Sequence, residues 1–334
     1  MNTQQFVAAF LLSILLVSCQ KNSSNPVSTH NTAQTPAVTD WEGNYPRVNQ
    51  AMNDSILFLT DRSLGSGPVP SVHLMHWSGS GMHSVTNQWV TFGASWSPRR
   101  WKIIYICDSG WTKPAPGLFV MNSDGTNIRR LTPLGEDVTG TSAWSPDGNW
   151  IAYVEIDPTD QYRRGRVKLI RPDGTQARIL TNWYGSMWRV AWSNDSQKIV
   201  FSGFEYMNYN RLYIINTDGS GLSVLFDHPQ PCYSPSWSPN GRFIAFESFA
   251  RIDNIDYSNI FTYELATSHI RQITSGKTFD SNPTWSSDSR TIVFSSAPPG
   301  VPVRSSLYRI GADGANVARI TDSLGIDWNP SWFN

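Results

Sequence analysis

Apolar positions along this chain fall in short runs, each closed by a turn, and the whole arrangement returns after a nearly fixed interval. One run in each unit ends on a tryptophan: Trp96, Trp144, Trp192, Trp237, Trp285 and Trp332, spaced by 48, 48, 45, 48 and 47 residues. A period of this length marks a repeat architecture. Within a unit, Ala143-Trp144-Ser145-Pro146-Asp147-Gly148 leads into Trp150-Ile151-Ala152-Tyr153-Val154, and Ser236-Trp237-Ser238-Pro239-Asn240-Gly241 leads into Phe243-Ile244-Ala245-Phe246. Pro presets φ for the first turn position, Asp or Asn tolerates the next, and Gly takes the left-handed conformation that closes the turn. The flanking runs, rich in Ile, Val, Phe and Tyr, predict strands.

A second hairpin completes the unit. Leu118-Phe119-Val120-Met121-Asn122 meets Asp124-Gly125, and the pattern returns at Asp173-Gly174, Asp218-Gly219 and Asp313-Gly314. Asp-Gly between apolar runs is a strong hairpin signal. Each unit therefore predicts four antiparallel strands. Such a sheet cannot bury both faces alone, but several arranged radially can. Ile56-Leu57-Phe58-Leu59 reads as a second strand lacking its first, and Asn329-Pro330-Ser331-Trp332-Phe333 as a first strand with nothing after it. The fold predicted is all-β: a six-bladed β-propeller of four-stranded antiparallel blades, closed by the C-terminal strand completing the first blade.

The motif W-S-P-D-G, then I-A-F, D-G and a closing L-T, resembles the propeller repeats of the TolB-like family. The resemblance covers the chain from residue 54 to its end and implies a propeller. It does not imply the α/β domain that TolB carries before its propeller, because too few residues precede the first strand here. Three turns depart from the motif: Ser97-Pro98-Arg99-Arg100, Ser193-Asn194-Asp195-Ser196 and Ser286-Ser287-Asp288-Ser289. Each keeps the first serine, so they read as altered turns in genuine repeats.

The front end has a different composition. Phe6 to Val17 is an apolar run too short to span a bilayer and suited to a signal-peptide core. Its end, Leu16-Val17-Ser18-Cys19, resembles a bacterial lipoprotein box, which implies lipidation of Cys19. Gln20 to Thr39, rich in Ser, Thr, Asn, Gln and Pro, cannot bury enough apolar surface to fold and reads as a leash. The expected organisation is a leader over 1–18, lipidated Cys19 and tether over 19–53, and the propeller over 54–334. Gln rather than Asp at position 20 implies the outer membrane under the sorting rule of enteric bacteria.

The 26 basic and 26 acidic residues balance, so nothing in the charge points to nucleic acid. With Cys19 taken by lipid, Cys107 and Cys232 fall on opposite sides of the ring, too far apart for a disulfide. No nucleophile elbow, H-E-x-x-H or paired C-x-x-C occurs. His73 and His76, three apart on an alternating strand, face opposite ways. The Asp-Gly turns lack a calcium-ligand ladder. No catalytic motif, cofactor or metal site is expected.

Two sets of residues are candidates for binding. The first surrounds the channel mouth at the start of the inner strands: Phe92, Trp188, Arg189, Tyr233, Asp280, Asp327 and Trp328. Aromatic rings at a polar mouth can stack on sugars or accept an apolar side chain, or simply pack between strands. Asp280 and Asp327, each five residues before a tryptophan, can cap backbone amides, hold a ligand, or act as a carboxylate pair. The second set lies on the long connections opposite the short turns: Trp111, Tyr162, Arg163, Arg164, Tyr206, Tyr209, Arg251 and Tyr257. Exposed aromatic and Arg side chains on loops are the usual anchors of an interface. The expectation is a lipid-anchored module holding an envelope protein, peptide or peptidoglycan-linked partner. The alternatives are a glycan-handling propeller and a bare scaffold.

Overall fold

The computed structural model describes residues 55–61, 70–86, 90–107, 116–160, 163–182, 185, 187, 189–203, 210–252, 255–298, 305–322 and 324–332. The leader, Cys19 and tether expected over 1–53 lie outside them. Every regular element among the described residues is a β-strand.

Four sheets have four antiparallel strands each. One holds β1 (Ser55–Thr60), β2 (Ser71–His76) and β3 (His83–Ser84), with β24 (Asp327–Trp332) beside β1. The next runs β4 (Val90–Trp96), β5 (Lys102–Cys107), β6 (Gly117–Asn122) and β7 (Arg129–Arg130). A third runs β8 (Asp137–Trp144), β9 (Ile151–Ile156), β10 (Gly165–Ile170) and β11 (Arg178–Ile179). The fourth runs β12 (Val190–Trp192), β13 (Lys198–Gly203), β14 (Arg211–Asn216) and β15 (Ser223–Val224).

The expectation of six separate four-stranded blades is corrected here, because the remaining eight strands form one sheet. They are β16 (Cys232–Trp237), β17 (Phe243–Ile252), β18 (Ile255–Glu264), β19 (His269–Gln272), β20 (Phe279–Trp285), β21 (Thr291–Ala297), β22 (Ser306–Gly311) and β23 (Ala318–Arg319). The cause is the length of the β17–β18 hairpin, ten residues a side, paired from Phe243↔Glu264 to Ile252↔Ile255. It reaches β20, where Ser258 pairs in parallel with Phe279 and donates from its amide to Thr278 O at 3.1 Å. The stretch carrying Arg251 and Tyr257, expected as a long connection, is therefore largely strand.

At the seam, β24 lies antiparallel to β1, with Ile56 opposite Trp332 and Thr60 opposite Asp327. Asp61 accepts from the Ile326 amide at 2.7 Å just beyond the pair. Pairing the last strand with the first covers the β1 edge and makes β24 the inner strand of that sheet.

Ile103, Ile104, Tyr105 and Ile106 are all fully buried. A continuous apolar run of this kind marks a strand covered on both faces. The core lies between successive sheets: Ile104, Ile106, Leu118 and Val120 pack with Val138, Trp144, Ile151 and Tyr153. Ile56, Phe58 and Met75 pack with Val293, Leu307 and Trp332, so the series closes on itself. Each fully buried Ile or Leu contributes roughly 1.5–3 kcal/mol. Cys107 and Cys232 are buried within this core and form no disulfide.

The serine after each tryptophan organises its turn. Ser145 donates to Asp147 Oδ1 at 2.6 Å and accepts from the Trp150 amide at 2.9 Å, while Asp147 Oδ1 also accepts from Asn149 N. Ser193, Ser238 and Ser286 repeat this with Asp195, Asn240 and Asp288. The altered turns keep the left-handed position without glycine: Arg100, Ser196 and Ser289 have φ of 58°, 59° and 59°. There the serines gain a task. Ser196 Oγ accepts from the Asp147 amide at 3.1 Å and Ser289 Oγ from the Asn240 amide at 3.0 Å, each reaching the preceding repeat. The tryptophans of the same repeats also reach back: Trp192 Nε1 donates to Ala143 O at 3.0 Å and Trp285 Nε1 to Ser236 O at 3.1 Å. Trp144 and Trp237 donate within their own turns, to Gly148 O and Gly241 O.

Candidate functional site

The strands that end on tryptophan, β4, β8, β12, β16, β20 and β24, are brought together around the axis. Most carry a break in register: between Thr139 and Ala143 in β8, Tyr233 and Ser236 in β16, Ser281 and Thr284 in β20, and Trp328 and Ser331 in β24. The backbone there is left-handed, with φ of 72° at Gly140, 49° at Ser234, 55° at Asn282 and 49° at Asn329. Gly and Asn enter this region at least cost. Pro235, Pro283 and Pro330 follow directly, and proline, lacking an N–H, is tolerated in sheets only at bulges and edges.

At or beside these bends, the residues three positions before each tryptophan form a ring: Gly93, Thr141, Arg189, Ser234, Asn282 and Asn329. A Cβ on Gly93 would lie 2.8 Å from Thr141 Cγ2 and 3.8 Å from Asn329 Cβ, so a larger side chain there would press on both neighbours. Arg189 Nη1 donates to Asn282 Oδ1 at 2.9 Å, and Ser234 Oγ donates to the same oxygen at 3.4 Å. Behind the ring, Glu247 of β17 accepts from the Asn282 amide at 3.0 Å. Burial pushes the Glu247 carboxyl up to about 7, against the opposing pull of that amide, Arg189 and Ser234. Burial likewise draws the Arg189 guanidinium down to about 10, partly offset by Glu247. Burial also pushes the Cys232 thiol and the Tyr233 phenol up to about 12.

On the short-turn side of this ring lies a cavity of about 340 Å³, walled by the inner strands and reaching the turn prolines Pro98, Pro146 and Pro239. Among the described residues, Arg189 is the only charged one on its wall.

The cavity and the ligand-binding set expected at the channel mouth share one residue. Of Phe92, Trp188, Arg189, Tyr233, Asp280, Asp327 and Trp328, Arg189 alone lines it. The physical reason is the bulge, before which the described side chains turn into their own sheets. Tyr233 stands edge-on to Phe249 at 5.2 Å, on the neighbouring strand. Asp280 is buried and accepts from Ser296 Oγ at 2.6 Å, across from it in β21, with Thr274 and Thr278 as further donors. Burial outweighs these donors and raises its pKa. Asp327 is fully buried, its amide donating to Ser305 O at 3.0 Å and its carbonyl accepting from Ser305 Oγ at 2.7 Å. Trp328 is half-buried against the cluster containing Leu57 and Val90. Trp188 and the Phe92 side chain lie outside the described residues.

On the long-connection side, Arg163 and Arg164 are exposed, at 63% and 44% of their side-chain area. Arg163 reaches Asp137 at 3.4 Å, and Arg164 Nε donates to Asp160 Oδ2 at 2.6 Å. Tyr257 departs from its expected role as an exposed anchor: it is 2% exposed, because the extended β17–β18 hairpin carries it into the fold opposite Ala250. Trp111, Tyr162, Tyr206, Tyr209 and the Arg251 side chain lie outside the described residues. Thr141, Ser234, Asn282 and Asn329 escaped the sequence reading, although Ser-Pro and Asn-Pro within apparent strands signal a bulge. Among the described residues, no group of three or more His, Cys, Asp or Glu side chains could hold a metal ion.

A family model described as the TolB beta propeller domain matches residues 99–251 and 150–334. The Tol-Pal system protein TolB of Francisella tularensis subsp. mediasiatica (strain FSC147) is 30% identical over 120 residues, 35% of this chain and 26% of that protein. The protein of the same name from F. tularensis subsp. tularensis (strain SCHU S4 / Schu 4) matches equally. The chain thus spans about a quarter of the length of the curated relatives it matches. Among solved structures, TolB from Acinetobacter baumannii is similar with a TM-score of 0.71 at 15% identity, over 85% of this chain and 67% of that one. An oligogalacturonate lyase in complex with manganese is similar with a TM-score of 0.56 at 16% identity, over 80% of this chain and 74% of that one. Identities this low speak for the fold alone. The matched repeats cover more than half of the chain, and it belongs to the TolB β-propeller domain family.

Proposed function

We propose that this protein is a non-enzymatic binding module of the bacterial cell envelope, anchored through lipid on Cys19 and holding a protein or peptidoglycan-linked partner on its long-connection face. The observation that carries this reading is the β9–β10 connection, where Arg163 and Arg164 stand exposed and each is held by an aspartate. Arginines steadied in this way lose little freedom on binding and suit the centre of an interface. Membership of the TolB propeller family, with relatives named for the Tol-Pal system, supports an envelope partner. The internal hydroxyl bonds of Asp280 favour a capping role over a catalytic one.

The test is capture from detergent-solubilised envelope on immobilised protein, with an oligosaccharide panel in parallel. One specific protein partner should be retained, and Arg163→Glu with Arg164→Glu should abolish its retention. Retention unaffected by both changes, or a glycan bound in place of protein, would overturn the reading. Cys19→Ala should move the protein from the membrane fraction to the soluble fraction, and no shift would overturn the anchor.

A further inference from the structure

We propose that the cavity on the short-turn side is a second binding site, independent of the long-connection face, and that it takes a carboxylate. Its volume, about 340 Å³, sits at the small end of the range for ligand pockets, roughly 300–1,000 Å³. Its walls are the inner strands, most of which are terminal strands of their sheets. Such strands turn backbone groups with no strand partner toward the axis.

The polar groups on these walls favour an anion. Among the described residues, Arg189 supplies the only charge and no carboxylate lines the space. Glu247, which attracts Arg189, is not among the lining residues and is engaged with the Asn282 amide on β20. A guanidinium has five N–H donors, and the Asn282 side chain takes one of Arg189's. A single guanidinium matches a single carboxylate in charge and in fork geometry. That carboxylate can belong to a small organic acid or to an acidic peptide entering between the turn prolines.

Calorimetry on the full-length protein at pH 7 would use three probes: succinate, the peptide Gly-Gly-Asp with an amidated C-terminus, and inorganic phosphate. Saturable binding of succinate or of the peptide is expected, and which of them binds tells the sources apart. The double change Arg189→Met with Glu247→Gln removes charge and counter-charge together, leaving no lone buried ion. It should weaken binding about tenfold or more, as expected for loss of a charged hydrogen bond. Ser95→Trp, which fills the cavity without touching that pair, should abolish binding while the protein still unfolds cooperatively on heating. Arg163→Glu with Arg164→Glu should leave carboxylate binding unchanged, so this site and the partner face fail separately. The proposal is overturned if neither carboxylate saturates the protein, if phosphate binds as well as succinate, or if binding persists in the variants.

Discussion

The two ends of the inner strands are built from one repeat and have been treated differently. At the short turns the units are nearly interchangeable: Ser145, Ser193, Ser238 and Ser286 each hold an Asp or Asn side chain and the amide five residues on. Three residues before each tryptophan only the Asn of the last two repeats recurs, and the ring reads Gly93, Thr141, Arg189, Ser234, Asn282, Asn329. Turn geometry has few solutions, and a side chain that satisfies it is reused. The bulge needs only backbone that bends, which leaves its side chain open to specialise. Carboxyl groups record the contrast. Hydroxyl and amide donors hold Asp195 and Asp288 of the turns below the usual carboxylate range. Burial pushes Glu247 and Asp280, around the bulges, above it.

The comparison breaks most severely at Trp285. It is fully buried, and its indole N–H is spent on Ser236 O of the preceding repeat. Trp285→Ala should cost about 3–5 kcal/mol, as for other large-to-small changes in a core. Trp237→Ala should cost less, because Trp237 donates within its own turn at 3.4 Å and is 7% exposed. Urea unfolding of both variants measures the difference, and equal losses would mean that the reach between repeats contributes nothing.

Next in size is the pH response of Glu247. Its pKa rises from an ordinary 4.5 to about 7 on folding, so the folded protein binds more protons than the unfolded chain between these values. Stability from this group is full below pH 4.5 and falls as pH rises through 7, on the order of 2–4 kcal/mol. The turn aspartates act with the opposite sign. Their contribution is present above the ordinary value of about 3.9 and is lost as pH falls through their depressed pKa values. Chemical denaturation at pH 5 and pH 8 should therefore show a decline that Glu247→Gln removes. A decline that survives in Glu247→Gln would assign it to another group.

How much of this was legible follows the same division. The tryptophan period and the Ser-Pro-Asp-Gly turns dictate local backbone, so the strands, the hairpins and the closing of β24 on β1 could be read from residue types alone. The joining of β16–β23 into one sheet could not. It depends on how far the β17–β18 hairpin extends, and the sign of that extension, Asp253-Asn254 between Ile252 and Ile255, is weaker than the Asp-Gly turns elsewhere. The candidate site was legible only at Arg189. The offset from the repeat tryptophan puts Tyr233 and Asp280 at the start of the inner strands, and a left-handed residue follows each one or two positions on, at Ser234 and Asn282. The Asn-Pro and Ser-Pro pairs were the visible sign of that bend.

The smaller effects lie within the turns. Ser145 is fully buried and joins three segments of its turn, so Ser145→Ala should cost about 1–3 kcal/mol, the penalty for orphaning buried partners. The altered turns offer a finer test. Ser289 holds φ at 59° and accepts from the Asn240 amide of the preceding repeat. Ser289→Ala loses that bond and keeps the unfavourable backbone, for about 1 kcal/mol. Ser289→Gly loses the same bond and relieves the backbone, so the two terms oppose and the net change should lie within about 0.5 kcal/mol of zero. If thermal unfolding instead shows glycine stabilising by about 1 kcal/mol or more, the link to Asn240 carries no weight. The serine would then be a tolerated defect in the turn rather than a joint between repeats.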